Sequence, residues 1–449
     1  MVWLARTVGR ARQRVALDQW NGRPALYRTW PAWQRDPRDS GGCHYQLLAS
    51  EQRETDERRA MRIDDLASGA QTWASAFVSA ALGGKTDQSL PDLLMYYPVA
   101  QVNPYQPMLY ASAEKNSLSV LPLLRLESLD DIAWQGHGIV HLHWLASILQ
   151  SASTEAEADA AVAGYAQRLG TMRRMGLRIV WTVHNVMPHT TKWVQAERAV
   201  RQATADAADL IHVMNRDTER LTSAHFRIDP RKVLHIPHPT YGDWYANVIS
   251  PKHARQDLGL DPDSFTFLCF GSIQPYKGLL ELIDAYDILC RRRADRACTL
   301  VIAGQVDNDD YYAALRARVA DRMDVRLIPG NVRDQRVQYY FNSCDAVVAP
   351  YLETLNSGVA MLAATFRRMV VAPAEGGMAE VFADDPSLLY SRTATHGLAS
   401  AMERALSYRP NESLFDSILA RHDPYLLSDR FCSELRKMLE DGTVERQEC

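Results

Sequence analysis

The segment FTFLCFGSIQPYKG, which begins at Phe265, most constrains how this chain can fold. Its apolar run from Phe265 to Phe270 predicts a strand buried on both faces, as strands of parallel sheets are. Gly271 then opens a turn, and we predict that a helix starts near Lys277 and Gly278. In parallel sheets, ligands bind beyond the carboxyl ends of the strands, where helix N-termini offer N–H groups to phosphate. The segment therefore predicts a phosphate-binding turn to which Lys277 adds a positive charge.

The same alternation of apolar strands and helices extends over most of the chain. Six strand-like runs alternate with helical segments before a polar stretch, residues 244–262, and six more follow it. Because the polar stretch carries two prolines, it predicts a linker. The pattern predicts an α/β protein with two parallel-sheet domains that face each other across a cleft. The boundaries that we predict are a partly helical or loosely ordered extension over 1–90, a first domain over 91–245, a second domain over 246–412, and a helical segment over 413–449 that packs back on the first domain.

Composition excludes several classes of protein. A formal net charge of −4 over 449 residues argues against a nucleic-acid-binding protein. The seven cysteines show no CxxC or Cys/His ligand spacing, so we predict reduced thiols in a cytoplasmic protein. Arginines interrupt the N-terminus before a signal-peptide core forms, and no window reaches the roughly 20 apolar residues of a membrane span. Arginines and tryptophans in the first 40 residues leave open either a loosely folded extension or a peripheral contact with the inner face of a membrane.

The second half of the chain resembles the nucleotide-sugar domain of GT-B glycosyltransferases, specifically the large family 4 group. FGSIQPYKG resembles that family's Gly-x-x-x-x-x-Lys-Gly loop, and VIAG, LIPG and DAVVAPY with a following Ser-Gly occur in the family's order. The resemblance covers roughly residues 93–410. It implies two Rossmann-like domains, a nucleotide-sugar donor on the second, a glycan or glycolipid acceptor on the first, and no metal or other cofactor.

The family's donor site implies roles for particular residues. The loop lysine holds the donor diphosphate, and a fixed cation there stabilises the charge that the leaving nucleotide gains, so we predict Lys277 as a catalytic residue. The Ser357-Gly358 helix start offers N–H groups and the helix dipole to the same diphosphate, although a capped helix of purely structural role has the same sequence. The donor-binding residues that we predict are Gly271, Ser272, Gln274, Lys277, Gly278, His238, Ser357, Gly358 and Glu380, the last at a helix start where it meets ribose or base.

The sequence departs from the family pattern at two places. Ser272 and Gln274 occupy loop positions where the family often has an arginine. Leu355 and Ala363 stand where retaining members carry two glutamates, with Glu353 two residues from the first position. These departures favour an inverting transferase. A retaining transferase with a degenerate site, and a catalytically silent partner or scaffold protein, stay open as alternatives.

Four short motifs are similar to those of the xanthan-type β-mannosyltransferases, which invert and use GDP-mannose. These motifs are PY-x-E-T-x-x-SG, NPYxxxLY, HLHW and HN-x-x-PH. The similarity suggests mannose as the transferred sugar and a lipid-linked exopolysaccharide intermediate as the acceptor. The acceptor-binding residues that the similarity implies are Asn103, Tyr105, His143, Asn185 and His189.

His184 ends a first-domain strand and is therefore expected to face the cleft. An inverting transfer needs a base for the acceptor hydroxyl, and a histidine that titrates near neutrality is suited to that role. We predict His184 as this base, with a structural histidine as the alternative. His141 and His143 lie two residues apart on one face of a strand, either as a metal pair or, as we favour, in core or cleft packing. Asp307-Asn308-Asp309 resembles an Asp-x-Asp metal motif, but its place before a helix favours capping, so we predict no metal site.

Overall fold

The computed structural model describes residues 92–100, 103–131, 137–188, 191–410 and 412–447, with Asp131 and the last seven described by their backbone alone. The predicted N-terminal extension over 1–90 and His189 lie outside the described residues. Within them, two parallel sheets carry helices on both faces, which confirms the predicted GT-B architecture.

The first domain is built on a sheet with six described strands in the spatial order β2-β1-β3-β4-β5-β6, all parallel. The strands are β1 (Asp92–Tyr97), β2 (Leu118–Pro122), β3 (Gly138–Leu142), β4 (Arg178–Thr182), β5 (Leu210–Val213) and β6 (Val233–His235). The helices among them are α1 (Tyr105–Leu109), α2 (Glu155–Arg174), α3 (Val194–Ala207) and α4 (Thr218–Thr222).

Successive side chains of these strands enter two separate cores, one on each face of the sheet. Leu93 and Val140 belong to one hydrophobic cluster, and their chain neighbours Leu94 and Ile139 belong to the other. All four are at most 4% exposed. The continuous apolar runs of the sequence are thus explained by burial on both faces, since alternate residues of a strand point to opposite sides.

The second domain repeats the plan with six described strands in the order β12-β11-β10-β7-β8-β9, again parallel. The strands are β7 (Phe265–Phe270), β8 (Cys298–Gly304), β9 (Val325–Pro329), β10 (Ala346–Val348), β11 (Met369–Pro373) and β12 (Leu389–Tyr390). Before and among them lie α5 (Pro251–Asp257), α6 (Leu279–Arg292), α7 (Asp309–Val319), α8 (Asp334–Ser343), α9 (Gly358–Thr365), α10 (Gly376–Val381) and α11 (Gly397–Ser407).

The predicted linker over 244–262 is not wholly irregular. It contains helix α5, whose N-cap Ser250 accepts a hydrogen bond from the His253 N–H group. Arg255 of this helix donates to the Asp345 carboxylate and to the Ser343 carbonyl, which fastens the helix to the second domain. The predicted linker stretch thus contains a short helix that arginine hydrogen bonds hold to its neighbours.

Two helices follow the second sheet, α12 (Glu412–Arg421) and α13 (Pro424–Gln447). Helix α13 contacts the first domain, where Phe431 and Leu435 are fully buried in the same cluster as Leu94 and Tyr110. The Ser428 hydroxyl donates to the Leu109 carbonyl at 2.8 Å. The chain therefore returns to the first sheet after completing the second.

Two predictions from composition can be compared with the described residues. The five cysteines that they include, 269, 290, 298, 344 and 432, are free thiols. In the described part of the chain, no helix combines the length and the apolar character needed to cross a membrane.

Candidate active site

The strand order of each sheet indicates where a ligand site is expected. In the second sheet the order reverses between β7 and β10, and in the first it reverses between β1 and β3. Ligands of open parallel sheets bind in the crevice beyond the strand ends at such a reversal. The loop after β7 carries Lys277 and the loop after β10 leads to Ser357, whereas β1 leads to Tyr105 and β3 leads to His143. Residues predicted for both substrates thus lie at the two reversal points.

Lys277 ends a short 3-10 helix, Pro275–Lys277, directly before α6. Its residue is only 7% exposed, and its Nζ lies 3.9 Å from the centre of the Tyr351 ring. Burial acts to lower the pKa of this ammonium, but Tyr351 and Tyr276 outweigh it, so that the pKa lies above the ordinary lysine value. Lys277 is therefore a fixed cation at neutral pH, as a diphosphate site requires.

The glycines of the loop let the backbone approach closely. A methyl group on Gly271 would lie 3.7 Å from the Lys277 Nζ, so this turn passes directly beside the ammonium. Gly278 adopts a left-handed conformation, with φ of 65°. A methyl group on Gly278 would lie 2.5 Å from the Pro350 carbonyl oxygen. The loops after β7 and β10 therefore touch through a glycine.

Ser357 and Gly358 begin helix α9, as predicted. The Ser357 hydroxyl caps the helix by accepting from the Ala360 N–H group at 3.2 Å. Two side chains face the helix start, because a methyl group on Gly358 would lie 2.7 Å from the Tyr241 hydroxyl and 3.9 Å from the His238 Nε2. The His238 Nδ1 donates to the Pro239 carbonyl, and burial lowers the pKa of His238 to about 4. A neutral histidine thus points its unprotonated nitrogen at the helix start.

Gln274 turns towards α7. Its Nε2 donates to the Asp307 carboxylate at 2.7 Å, and Ser272 is two residues away on the same turn. Asn308 caps α7 by accepting from the Tyr311 N–H group at 2.8 Å. The capping alternative for Asp307-Asn308-Asp309 is therefore confirmed, with the asparagine as the cap.

Glu380 does not start a helix. It is the last residue but one of α10, so the expectation of a carboxylate at a helix start was wrong. The Glu380 carboxylate accepts from the Arg216 N–H group at 2.9 Å and lies 3.2 Å from the His235 Nε2. The position of Glu380 near the helix end was not predicted because the two glycines of GGMAEV are themselves the first residues of the helix. In the structure, Glu380 connects the second domain to the first.

His184 follows β4 and lies in an aromatic cage. Its ring stacks on Trp144, with centroids 4.0 Å apart, and meets the edge of Tyr105 at 5.1 Å. The His143 Nδ1 is 2.9 Å from the His184 Nε2. Burial lowers the pKa of His184 well below 6.5, and the neighbouring histidines lower it further. His184 is therefore neutral at physiological pH, and its pKa lies below the near-neutral value that the sequence led us to expect for the base.

The predicted acceptor residues are placed as follows. Tyr105 and His143 contact His184 directly. Asn185 is next to His184 in the same loop. Asn103 is exposed, and its side-chain oxygen accepts from the Tyr105 N–H group at 3.0 Å, which shapes the turn into α1.

A continuous series of contacts joins the two predicted halves of the site. The Tyr105 ring lies 5.1 Å from His184 and 5.0 Å from His238. His238 faces Gly358 at the start of α9, and the next residue, Val359, lies beside Gly271 and thus beside Lys277. The predicted base and the predicted cation are therefore connected through neighbouring residues.

Asn356 fastens the two domains together at this site, a role that the sequence did not reveal. Its Nδ2 lies 3.3 Å from the His184 carbonyl oxygen and 3.4 Å from that of Val183. Asn215 of the first domain donates to the Asn356 side chain and to the Leu355 carbonyl. Leu355 itself packs in the first-domain core. We call these contacts of residues 215, 355 and 356 the asparagine clasp.

Beside the clasp lies a cavity of about 20 Å³, which has room for about one water molecule. Its lining residues include His238, Asn356, Ser357, Glu380 and His422. The two domains therefore meet closely at the start of α9.

His141 and His143 are not arranged as a metal pair. Both rings hydrogen-bond the Tyr110 hydroxyl, at 2.7 and 2.6 Å. The other nitrogen of each ring also has a protein partner, Thr182 for His141 and His184 for His143. The packing alternative is the one that this geometry supports.

Comparison with known proteins agrees with the fold. Residues 264–408 match the family described as Glycosyl transferases group 1. The crystal structure of Anabaena Alr3699/HepE in complex with UDP superposes with a TM-score of 0.58, at 13% identity, over 78% of this chain and 100% of that one. The fold and the family match define a GT-B glycosyltransferase.

The chain is thus similar to glycosyl transferases group 1 over its second domain. It is 26% identical over 283 residues to the GDP-mannose:glycolipid 4-beta-D-mannosyltransferase of Xanthomonas campestris pv. campestris, covering 62% of this chain and 71% of that protein. It is 30% identical over 186 residues to a D-inositol 3-phosphate glycosyltransferase of Pseudarthrobacter chlorophenolicus, covering 41% of each chain.

Proposed function

We propose that this glycosyltransferase moves mannose from GDP-mannose to a hydroxyl of a glycolipid acceptor, with inversion at the anomeric carbon. The observation that supports it most is the series of contacts from His184 through Tyr105 and His238 to the start of α9 and Lys277. The choice of GDP-mannose and of a glycolipid rests on the similarity to the Xanthomonas mannosyltransferase.

In this proposal the donor diphosphate lies between Lys277 and the first turn of α9. As the bond between the anomeric carbon and the diphosphate oxygen breaks, negative charge grows on the leaving GDP. The buried Lys277 ammonium and the N–H groups of α9 stabilise that charge without any metal ion. The acceptor oxygen forms its bond to the opposite face of the sugar, and its proton goes to His184.

Two buried apolar residues stand at the positions where retaining members of the family carry glutamates, and they favour inversion. Leu355 is 4% exposed and packs in the first-domain core, and Ala363 is fully buried inside α9. The nearby Glu353 is exposed. These residues offer no carboxylate of the retaining pattern beside the sugar, so a direct displacement is the simpler reaction.

Donor binding is tested by calorimetry with GDP and UDP on the wild type, Lys277→Ala and Lys277→Met. Methionine keeps the buried volume and removes the charge, so both variants are expected to lose GDP affinity at least tenfold, equivalent to about 1.4 kcal/mol. Lys437→Ala, at a lysine whose side chain is 61% exposed on α13, is the matched control and should bind GDP like the wild type.

Two outcomes would contradict the proposal. Binding of neither nucleotide by the wild type would favour the silent partner protein. With GDP-mannose and a glycolipid acceptor, an α-linked product would show retention. A β-linked product supports the inverting reaction.

A further inference from the structure

A series of six hydrogen bonds, five of them buried and the last partly buried, runs through the first domain and ends at His184. The six distances, in order along the chain, are Ile236 O to His212 Nε2, 2.9 Å; His212 Nδ1 to Thr182 Oγ1, 3.0 Å; Thr182 Oγ1 to His141 Nε2, 2.7 Å; His141 Nδ1 to Tyr110 OH, 2.7 Å; Tyr110 OH to His143 Nε2, 2.6 Å; and His143 Nδ1 to His184 Nε2, 2.9 Å. We call this series the histidine chain. Both ring nitrogens of its three inner histidines are hydrogen-bonded.

The histidine chain is buried from His212 to His143, whereas His184 at its end is partly exposed. His141, Thr182 and His212 are fully buried, and His143 is 1% exposed. Phe431 of α13 covers the chain, with its ring centre 5.2 Å from that of His141 and 5.1 Å from that of His212. Burial lowers the pKa of every histidine in the chain, that of His212 to about 4. The four rings are therefore neutral at pH 7, each with one N–H group and one acceptor nitrogen.

The Ile236 carbonyl fixes the direction of the first half of the chain. A carbonyl oxygen only accepts, so the His212 Nε2 must carry the proton and its Nδ1 must accept. The His212 Nδ1 therefore accepts a hydrogen bond from the Thr182 hydroxyl, which has a single proton to donate. Thr182 can then only accept from His141, whose proton must lie on Nε2.

The second half follows by the same reasoning. Because His141 carries its proton on Nε2, its Nδ1 accepts a hydrogen bond from the Tyr110 hydroxyl, which has a single proton to donate. The Tyr110 oxygen must then accept from the His143 Nε2–H group, which leaves the His143 Nδ1 as an acceptor. That nitrogen accepts from His184, so His184 carries its proton on Nε2.

The reverse direction is less stable. If the rings from His141 to His184 all turned to the other tautomer, the Thr182 hydroxyl would face two unprotonated nitrogens and could donate to only one of them. One buried hydrogen bond would be lost, and its acceptor would remain without a partner away from water. The terminal carbonyl therefore selects one arrangement of protons for the whole chain.

We propose that the histidine chain holds His184 in the Nε2–H tautomer and so keeps its Nδ1 unprotonated as the atom that receives the acceptor's proton. Among the described residues, none hydrogen-bonds this Nδ1. The tautomer follows from the chain alone, whereas its use in catalysis rests on the proposed function. His143, Tyr110, His141, Thr182 and His212 are then positioning residues, which act through His184.

The proton transfer is balanced within this arrangement. The acceptor O–H bond breaks as its oxygen bonds to the sugar, and the proton binds the His184 Nδ1. The resulting imidazolium keeps its Nε2–H bond to His143. Its ring stacks on Trp144 at an interplanar angle of 17°, and the face of an indole stabilises a cation.

The tautomer is measured by ¹H–¹⁵N correlation on the full-length protein labelled with ¹⁵N-histidine at pH 7.5. Loss of signals in His184→Gln assigns the ring. We expect the Nδ1 of His184 to show the shift of an unprotonated nitrogen and the Nε2 that of a protonated one. A proton on the Nδ1 of His184 in the wild type would overturn the proposal.

Thr182→Val tests the chain itself, because valine keeps the shape of threonine and removes the hydroxyl. Without that hydroxyl the two directions from His141 to His184 become similar in stability, so we expect the His184 signals to move towards a mixture of tautomers. Thr182→Ser keeps a hydroxyl and should retain the Nε2–H tautomer. Unchanged signals in a folded Thr182→Val protein would overturn the proposal, and thermal unfolding of both variants establishes that they fold.

Measurements of turnover test the catalytic use of the tautomer separately from the tautomer itself. If His184 is the base, kcat of Thr182→Val should fall below that of Thr182→Ser in proportion to the lost Nε2–H tautomer, about twofold for an equal mixture, with the KM for GDP-mannose unchanged. Equal kcat values despite a changed tautomer would refute the link to catalysis. Absence of any turnover in the wild type would refute the proposed function. The spectra would still show which tautomer His184 adopts.

Discussion

Gly278 is the residue on which the shape of the donor loop depends. Its φ of 65° belongs to the left-handed region, and a methyl group there would lie 2.5 Å from the Pro350 carbonyl oxygen. We expect Gly278→Ala to lower the free energy of unfolding by about 1–3 kcal/mol, from the backbone conformation alone. It should also weaken GDP binding, since Lys277 is the preceding residue. Urea unfolding and calorimetry measure the two effects.

Gly164→Ala is the control for this substitution. Gly164 lies inside α2, and no atom lies within 4 Å of the position of an added methyl group. Alanine there should stabilise the protein by up to about 1 kcal/mol and leave GDP binding unchanged. A Gly278→Ala protein as stable as the wild type would show that the loop tolerates a side chain.

Residues close in sequence to a motif could be predicted, and residues joined across the chain could not. Lys277 and Ser357 follow strands directly, so the pattern of strand, turn and helix placed both at the sheet edge. The partners of Asn356 are 173, 172 and 141 residues away, at Val183, His184 and Asn215. An asparagine in a polar loop has the same local sequence whether it faces water or another domain.

At the scale of elements, the start of α9 combines a structural and a predicted binding role. Ser357→Ala removes the cap and should lower stability by about 1 kcal/mol. It should also reduce GDP affinity roughly fivefold, equivalent to about 1 kcal/mol, because the first N–H groups of α9 lose their fixed orientation. Thermal unfolding and calorimetry give the two numbers.

Thr154→Ala removes a cap of the same kind from α2, where the hydroxyl accepts from the Glu157 N–H group. Its stability should fall by a similar amount while GDP affinity stays at the wild-type value. If both variants bound GDP equally well, the start of α9 would have no part in the donor site.

Long elements with regular patterns were predicted well and short ones were not. The alanine-rich sequence of α2, Glu155–Arg174, has few alternatives to a helix at that length. Helix α10 has six residues and begins with two glycines, and α5 has seven residues and begins with a proline. Both are stabilised by their neighbours in the fold, and a short window of sequence does not contain those neighbours.

For the whole molecule, the buried histidines predict how stability depends on pH. Six of them, at 141, 143, 184, 212, 238 and 422, have a lowered pKa in the folded protein. Below pH 6.5 the unfolded chain binds protons that the folded protein does not, so stability is present above pH 6.5 and is lost as the pH falls below it. We expect each histidine to remove about 1 kcal/mol between pH 7.5 and pH 5.5.

The urea midpoint at the two pH values measures this loss. Repeating the series at higher salt screens exposed charges but leaves the buried rings unaffected, so the pH dependence should persist. Equal midpoints at pH 7.5 and pH 5.5 would mean that the histidine chain is hydrated in solution.

The asparagine clasp and its small cavity have a consequence for donor entry. A cavity of about 20 Å³ is far below the several hundred Å³ that pockets for small-molecule ligands occupy. If the donor binds at the start of α9, as proposed, the two domains must separate at residues 215 and 356 to admit a nucleotide sugar. The clasp consists of a few hydrogen bonds between amide groups, which exchange readily with water.

Phe431 links the histidine chain to the order in which the polypeptide is made. Helix α13 is synthesised after both sheets, yet its phenylalanine covers His141 and His212 of the first one. On the ribosome the first domain thus has its strands long before its histidines are shielded from water, and hydrated rings take up protons near pH 6.5 and exchange tautomers freely. If His184 is the base, as proposed, it acquires its defined tautomer only when residues 424–447 have emerged and docked.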